Sequence, residues 1–399
     1  MRITVAATIA LTWPALAAAQ GLGESEVLAR VSPAHPALAA PLGQLEKAQA
    51  HRQLAAAPGD IYIAALYEDA GGAERRQGAT VAFRPPLDGR RRLAVGAAEA
   101  GVEAAAAALA AERLRLRAQV RAAFANWWAA WEVSRLLHAR AAELAALAER
   151  ARRRALAGEE SGLASRRLAA EAAQAAAEAA FARAEGSRAR AELLAWVAEL
   201  PASAFPLPPP LPPDPGLLED CRPPELDALA AAVRQARQER ELAARAVQFP
   251  ELTAGWQRID EGGVAHWGVL AGVQWRLPLP GPTRAGMAAA QAELAAAQGK
   301  LQLGRARAEA ELASAREVYG TLRATAAAAT TATTDAEPMV TAAVASFAAG
   351  ESGVTDLLDT LRAAFELRRG AVEAHGRALA AHRELEQTCG RELPLGGQP

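Results

Sequence analysis

The sequence predicts a mainly α-helical chain that carries a small set of membrane β-strands, and three observations support that reading. Apolar residues make up 51% of the 399, yet aromatics only 5%, and alanine supplies most of the apolar share. Alanine forms helices readily and adds little volume, so long slender helices in close packing suit this composition better than a thick globular core. Proline and glycine markers recur in the same order at an offset of about 190 residues. Finally, apolar residues alternate with polar or small ones, most clearly over 264–277, a period of two that belongs to strands.

In chain order, Arg2, the apolar stretch Ile3 to Leu16 and the small residues Ala17 and Ala19 predict a secretory signal over 1–19, with an uncleaved anchor as the alternative. A first repeat follows over 20–200, with strands near 61–67 and 79–84, a long helix 90–156 and a helix 163–200. Residues 201–223 hold too many prolines for a helix interior and read as an extended connector. The second repeat, 224–388, has strands near 249–258 and 264–277, a long helix 283–348 and a helix 354–385, and a short tail 389–399 closes the chain. At 1.5 Å per residue each long helix spans about 100 Å. The repeat rests on paired markers: His35-Pro36-Ala37-Leu38 with Pro223-Pro224-Glu225-Leu226, Arg84-Pro85-Pro86-Leu87 with Leu277-Pro278-Leu279-Pro280, and AGEESGL at 157–163 with AGESGV at 349–354. Gly158, Gly162, Gly350 and Gly353 punctuate the two helix–helix turns, where Ser161 and Ser352 suit helix ends.

Beyond the signal, the alanine-rich stretches are interrupted by Glu, Arg or Gln, which argues against a polytopic helical transporter and leaves a β-barrel open. Trp267, Val269, Ala271, Val273, Trp275 and Leu277 share one strand face, opposite His266, Gly268, Leu270, Gly272, Gln274 and Arg276. Trp267 and Trp275 are separated by about 26 Å of strand, and an aromatic near each end of an apolar face is the pattern favoured by the two interfaces of a lipid belt. A soluble sandwich strand shows the same alternation. Four strands per chain cannot close a pore and open edges do not survive in hydrocarbon, so several chains must complete the barrel.

The duplicated order of helix, strand pair, long helix and helix resembles the TolC-like outer-membrane efflux protein family, and within it somewhat resembles the CzcC/CusC-like heavy-metal and multidrug branch, with metal ions and drugs both open as cargo. The segments that carry the resemblance are HPALA, RPPELDALAAAVRQARQERELAARAVQFPELTAGW, WRLPLPGPTRAG and SFAAGESGVTDLLDTLRAAFELRRGAVEAHGRAL, and together they span almost the whole mature chain. The resemblance implies a homotrimer whose twelve strands, four from each chain, close one outer-membrane β-barrel continued by an α-helical barrel across the periplasm. It also implies a passive exit duct, docked through a periplasmic adaptor (a membrane fusion protein) to an inner-membrane transporter such as an RND pump. The turns 157–163 and 349–354 would then lie at the periplasmic tip, where the adaptor engages. A soluble periplasmic coiled-coil adaptor or scaffold is the alternative, which needs the long helices but not the strands.

Asp335, Glu337, Asp356 and Asp359 flank the second turn, and repeated by a trimer they form acidic rings at the periplasmic mouth or gate if they face a lumen. Exterior solvation or helix-end stabilisation is the competing role, above all for Asp356 near a helix start. Trp127, Trp128 and Trp131 serve either as an anchor at a helix–barrel seam or as packing against a neighbouring helix, and Arg152-Arg153-Arg154 either meets an acidic adaptor surface or is solvated. His375 and His382 stand seven apart, with Glu386 the nearest helical companion of His382, and read as packed or solvated rather than as a zinc site.

With 44 basic against 45 acidic residues, the chain has no footprint for nucleic acid. Cys221 and Cys389 exclude a disulfide-rich scaffold and a thiolate-only zinc site; one bridge between them is allowed in an oxidising compartment, and their spacing does not decide it. No phosphate loop, Rossmann fingerprint, HExxH or GxSxG is present, so no catalytic residue, cofactor or metal is expected and a partner must supply the energy.

Overall fold

The computed structural model describes residues 20–57, 61–69, 74–85, 88–158, 161–213, 221–245, 249–261, 263–275 and 280–393. The signal segment 1–19, the marker residues Pro86, Leu87 and Leu277 to Leu279, and the last six residues of the tail lie outside these. The elements are β1 (Gly21–Leu22), α1 (Glu24–Leu28), α2 (Ala39–Ala56), β2 (Ile61–Asp69), β3 (Glu74–Phe83), α3 (Arg90–Leu156) and α4 (Gly162–Leu194), followed by β4 (Phe205–Pro206), α5 (Pro224–Ala244), β5 (Glu251–Glu261), β6 (Val264–Gln274), α6 (Pro280–Ala349) and α7 (Val354–Cys389).

The 67 residues of α3 include no proline, and its buried side chains Leu109, Leu116, Val120, Phe124 and Trp127, then Leu137, Leu144, Leu147 and Ala151, recur at three, four or seven residues. That spacing draws one stripe along a helix, against which α4 folds back with Ala164, Leu168, Ala175, Ala179 and Leu193. α6 and α7 form the second hairpin, and α3 also contacts α7. Near the turns the four helices share a core of Leu144, Leu147, Leu168, Phe347, Leu357 and Leu361. Toward the sheet, α2, α3, α5 and α6 pack in sequence, each against the next, in the same order as the strands that extend from them.

The sheet runs β2-β3-β5-β6, antiparallel throughout. A second core, midway, buries Leu22 and Val27 against Val120, Phe124 and Leu193. There β1 pairs in parallel with β4, so the start of the described chain is held by the connector.

Several bounds differ from the sequence expectation. β3 begins at Glu74 rather than near 79, because its first residues are polar and pair with the equally polar end of β5, Arg75 with Asp260 and Gln77 with Arg258, which hides them from an apolar-alternation test. The β6 ladder stops at Gln274, so Trp275 follows it, while Arg276 and Leu277 lie outside the described residues. Helix α4 ends at Leu194, not 200, and Trp196 just beyond it stacks on His35. α7 runs on to Cys389 rather than ending at 385, and that cysteine is disulfide-bonded to Cys221 and 1% exposed. One 18-residue window in α3 reaches a mean hydropathy of 1.5, long and apolar enough by composition to cross a membrane. The value reflects alanine content in a helix that packs against four other long or medium helices.

Candidate functional site: sheet faces, open edges and helix tip

The strand register sorts the sheet into two chemically distinct faces. On one face, Ile61, Ile63, Ala65 and Tyr67 of β2 lie opposite Phe83, Val81, Ala79 and Gln77 of β3. The row continues through Leu252, Ala254, Trp256 and Arg258 of β5 to Val273, Ala271, Val269 and Trp267 of β6. The chain itself covers little of this face: Ile63 is 76% exposed, Val269 88%, Trp267 68% and Trp275 56%. Trp256 and Trp267 meet at 5.4 Å between ring centroids, and the Arg258 guanidinium lies 5.7 Å from the Trp267 ring. The opposite face carries Glu68, Arg76, Gln257, His266, Thr80 and Thr253 among small residues, together with the larger apolar side chains of Tyr62, Leu66, Ile259 and Leu270. Two of those small residues are required, since a Cβ on Gly255 would sit 2.4 Å from the Ala79 carbonyl oxygen and one on Gly78 2.8 Å from that of Trp256. Both outer strands, β2 and β6, have one edge with no partner strand among the described residues.

At the other end, Gly158 (φ 79°) and Gly350 (φ 78°) end α3 and α6 in the left-handed conformation that a Cβ disfavours. Gly162 is the first residue of α4 and Gly353 caps α7. Ser161 accepts a hydrogen bond from the Ala164 amide at 3.1 Å, whereas no side chain caps α7. Arg167 donates to Thr355 Oγ1 at 2.9 Å and Arg362 to Glu171 Oε1 at 2.7 Å, so the two hairpins are tied side by side. Leu156 and Leu163 are exposed beside the first turn, while Glu159 and Glu160 lie outside the described residues. Arg152 and Arg153 both bind Glu149, whose carboxyl their hydrogen bonds hold down at about 2.

The four candidate acids are all exposed. Glu337 lies 3.7 Å from Arg368 and Asp359 3.8 Å from Arg362, while Asp335 and Asp356 have no cationic partner among the described residues. Asp356 occupies the first turn of α7, where a carboxylate is favourable for the helix itself. Trp127 and Trp128 are buried, the latter against His375 at 4.9 Å, and Trp131 stacks on Phe205, so these indoles pack between elements. Among the described residues no three His, Cys, Asp or Glu side chains are grouped to hold a metal ion.

Sequence reasoning missed a buried charge cluster. Arg121 of α3 pairs with Glu24 of α1 and Glu386 of α7, and Arg383 approaches Glu24 at 3.8 Å. Glu386 also accepts the Leu393 amide at 2.9 Å and lies 3.8 Å from His382. These residues are 2–5% exposed and come from segments 97 and 265 residues apart, a separation at which pattern reading has no signal.

Residues 219–391 match the model of the family described as outer membrane efflux protein. No curated protein matches the chain by sequence. Among solved structures, the outer membrane protein VceC of Vibrio cholerae superposes with a TM-score of 0.74 at 17% identity, covering 92% of this chain and 96% of that one. CusC, whose structures concern folding and transmembrane channel formation, gives 0.72 at 16% identity over 92% of this chain and 91% of its own. The open state of the MtrE outer membrane channel of Neisseria gonorrhoeae gives 0.68 at 20% identity, over 92% and 88%. The fold is the one these outer-membrane channel proteins share.

Proposed function

We propose that this chain is a TolC-family outer-membrane channel, the exit component of a tripartite efflux system, passive and not an enzyme. The observation that carries the reading is an open four-stranded sheet, predominantly apolar on one face and mixed polar, small and apolar on the other, continuous with two helical hairpins about 100 Å long. Unpaired backbone groups are costly in hydrocarbon, so β6 of one protomer pairs with β2 of the next. Three such chains close twelve strands into one barrel whose apolar face meets lipid, with Trp267 and Trp275 toward its two margins. The helices extend into the periplasm, and the turns at Gly158, Gly162, Gly350 and Gly353 meet a periplasmic adaptor that links the duct to an inner-membrane transporter of the RND kind. Asp335 and Asp356, with no cationic partner among the described residues, form the acidic rings of the periplasmic mouth, and Glu337 and Asp359 form its arginine-paired neighbours.

Cargo is a finer matter. The heavy-metal branch is supported by the likeness to CusC, with VceC and MtrE standing at similar likeness. Loss of the gene is expected to sensitise cells to heavy-metal salts; sensitivity to drugs alone would move the chain to a multidrug role.

The test is the oligomeric mass of the detergent-purified protein together with its conductance in a planar bilayer. A trimer giving discrete channels is expected, with Asp335→Asn or Asp356→Asn lowering cation preference. A folded monomer or dimer that leaves the bilayer silent would instead support a soluble coiled-coil scaffold.

A further inference from the structure

Midway along the α3–α4 hairpin, where the connector folds over it, lies an open pocket of 480 Å³ formed within one protomer and independent of the channel reading. Its polar lining is basic. Arg135, Arg183 and Arg190 border it with His138, Ser134 and Ser187, and no acidic side chain lines it. Only one of the three arginines is neutralised, Arg135 by Glu132 at 3.0 Å. Arg190 spends one nitrogen on the carbonyls of Leu200 and Pro201, and its Nε is buried with no hydrogen-bond acceptor. Among the described residues the Arg183 guanidinium contacts the Nε2 of His138, whose Nδ1 is engaged by the Ser134 carbonyl at 3.0 Å, the tautomer that leaves Nε2 as an acceptor. Neither Arg183 nor Arg190 has a carboxylate partner among the described residues. Trp131, braced on Phe205 at 5.7 Å, supplies an aromatic wall.

Two guanidinium groups without a carboxylate partner among the described residues, two serine hydroxyls and an indole wall in one concavity make a complementary set. Guanidinium groups select planar oxyanions, indole faces accept the C–H face of a sugar ring, and hydroxyls bond its substituents. We infer that this pocket binds a carboxylate-bearing sugar, its acid on Arg183 and Arg190 and its ring against Trp131. The volume exceeds what a bare ion would fill and suits one or two sugar rings.

A matched pair of probes tests this: N-acetylmuramic acid, and N-acetylglucosamine, which has the same ring without the lactyl carboxylate. Calorimetric titration into the intact protein should show saturable binding of the acidic sugar, at least tenfold tighter than the neutral one. Arg183→Gln, an exposed position whose loss leaves the hairpin core untouched, should weaken the acidic sugar at least tenfold without altering the neutral one. Trp131→Leu should weaken both. Equal affinity for the two sugars, unchanged binding in Arg183→Gln, or no saturation at millimolar concentration would overturn the assignment. Inorganic phosphate binding in place of the acidic sugar would overturn it too, leaving a plain oxyanion site.

Discussion

His382 shows how a single side chain reports the packing of the whole waist. It is 3% exposed, edge-on to Tyr319 at 5.1 Å, with Glu386 at 3.8 Å and the charges of Arg121 and Arg383 close by. Burial first, then the two arginines, lower its basicity from the ordinary 6.5 to about 4, outweighing the nearby carboxylate. The imidazole is therefore neutral in the folded protein while an unfolded chain would take up a proton below about 6.5. The unfolded state then binds more protons between about pH 6.5 and 4, so stability falls as pH falls through that window and levels off below it. The contribution is about 3 kcal/mol, offset in part because burial raises Glu386, a change of opposite sign. Denaturant midpoints across this range should flatten in His382→Gln; an unaltered slope would show that other groups carry the acid sensitivity.

At the scale of the element, α3 and α6 are nearly equal in length but not in continuity. α6 contains Pro338, which cannot donate to the Thr334 carbonyl and crowds it. Around that break, the hydroxyls of Thr330, Thr331, Thr334 and Thr341 bond carbonyls four residues back, a contact that bends helices. α3 has no interior proline, so of the two hairpins the second is built to flex above its tip. Pro338→Ala restores one backbone hydrogen bond and should slow amide exchange across 330–345, equivalent to about 2–3 kcal/mol of local stability. Exchange no slower than in the parent chain would place the flexible point elsewhere. The strands follow the same logic of local chemistry: β6 was legible because its lipid-type face alternates without interruption, whereas the polar start of β3 was not.

Across the whole molecule, both ends of the described chain converge on one buried cluster. Glu24 near the start and Glu386 near the end neutralise Arg121 and Arg383, and the Cys221–Cys389 bridge, closing 168 residues of sequence, lies just past Glu386. Removing one carboxylate strands a buried cation, so Glu24→Gln should cost about 3–5 kcal/mol. The double variant Glu24→Gln with Arg383→Met removes the excess charge as well and should recover most of that loss. Additive losses in the double variant would show that Glu24 acts through packing alone. Replacing both cysteines by serine frees a long loop in the unfolded chain and should cost about 5 kcal/mol on chain-entropy grounds, read as a lower thermal midpoint.

The mainly helical class with a few strands was readable from residues alone, because helix and strand periodicity and glycine or proline punctuation act over a few neighbours. The apolar face of β6 was visible for the same reason. The bridge between Cys221 and Cys389, the burial of Glu24 with Arg121, Arg383 and Glu386, the packing of Trp127 and Trp128, and the basic pocket around Arg183 came only with the folded arrangement. Each joins segments tens to hundreds of residues apart, and long-range pairing is set by how elements pack, which no short window of sequence encodes.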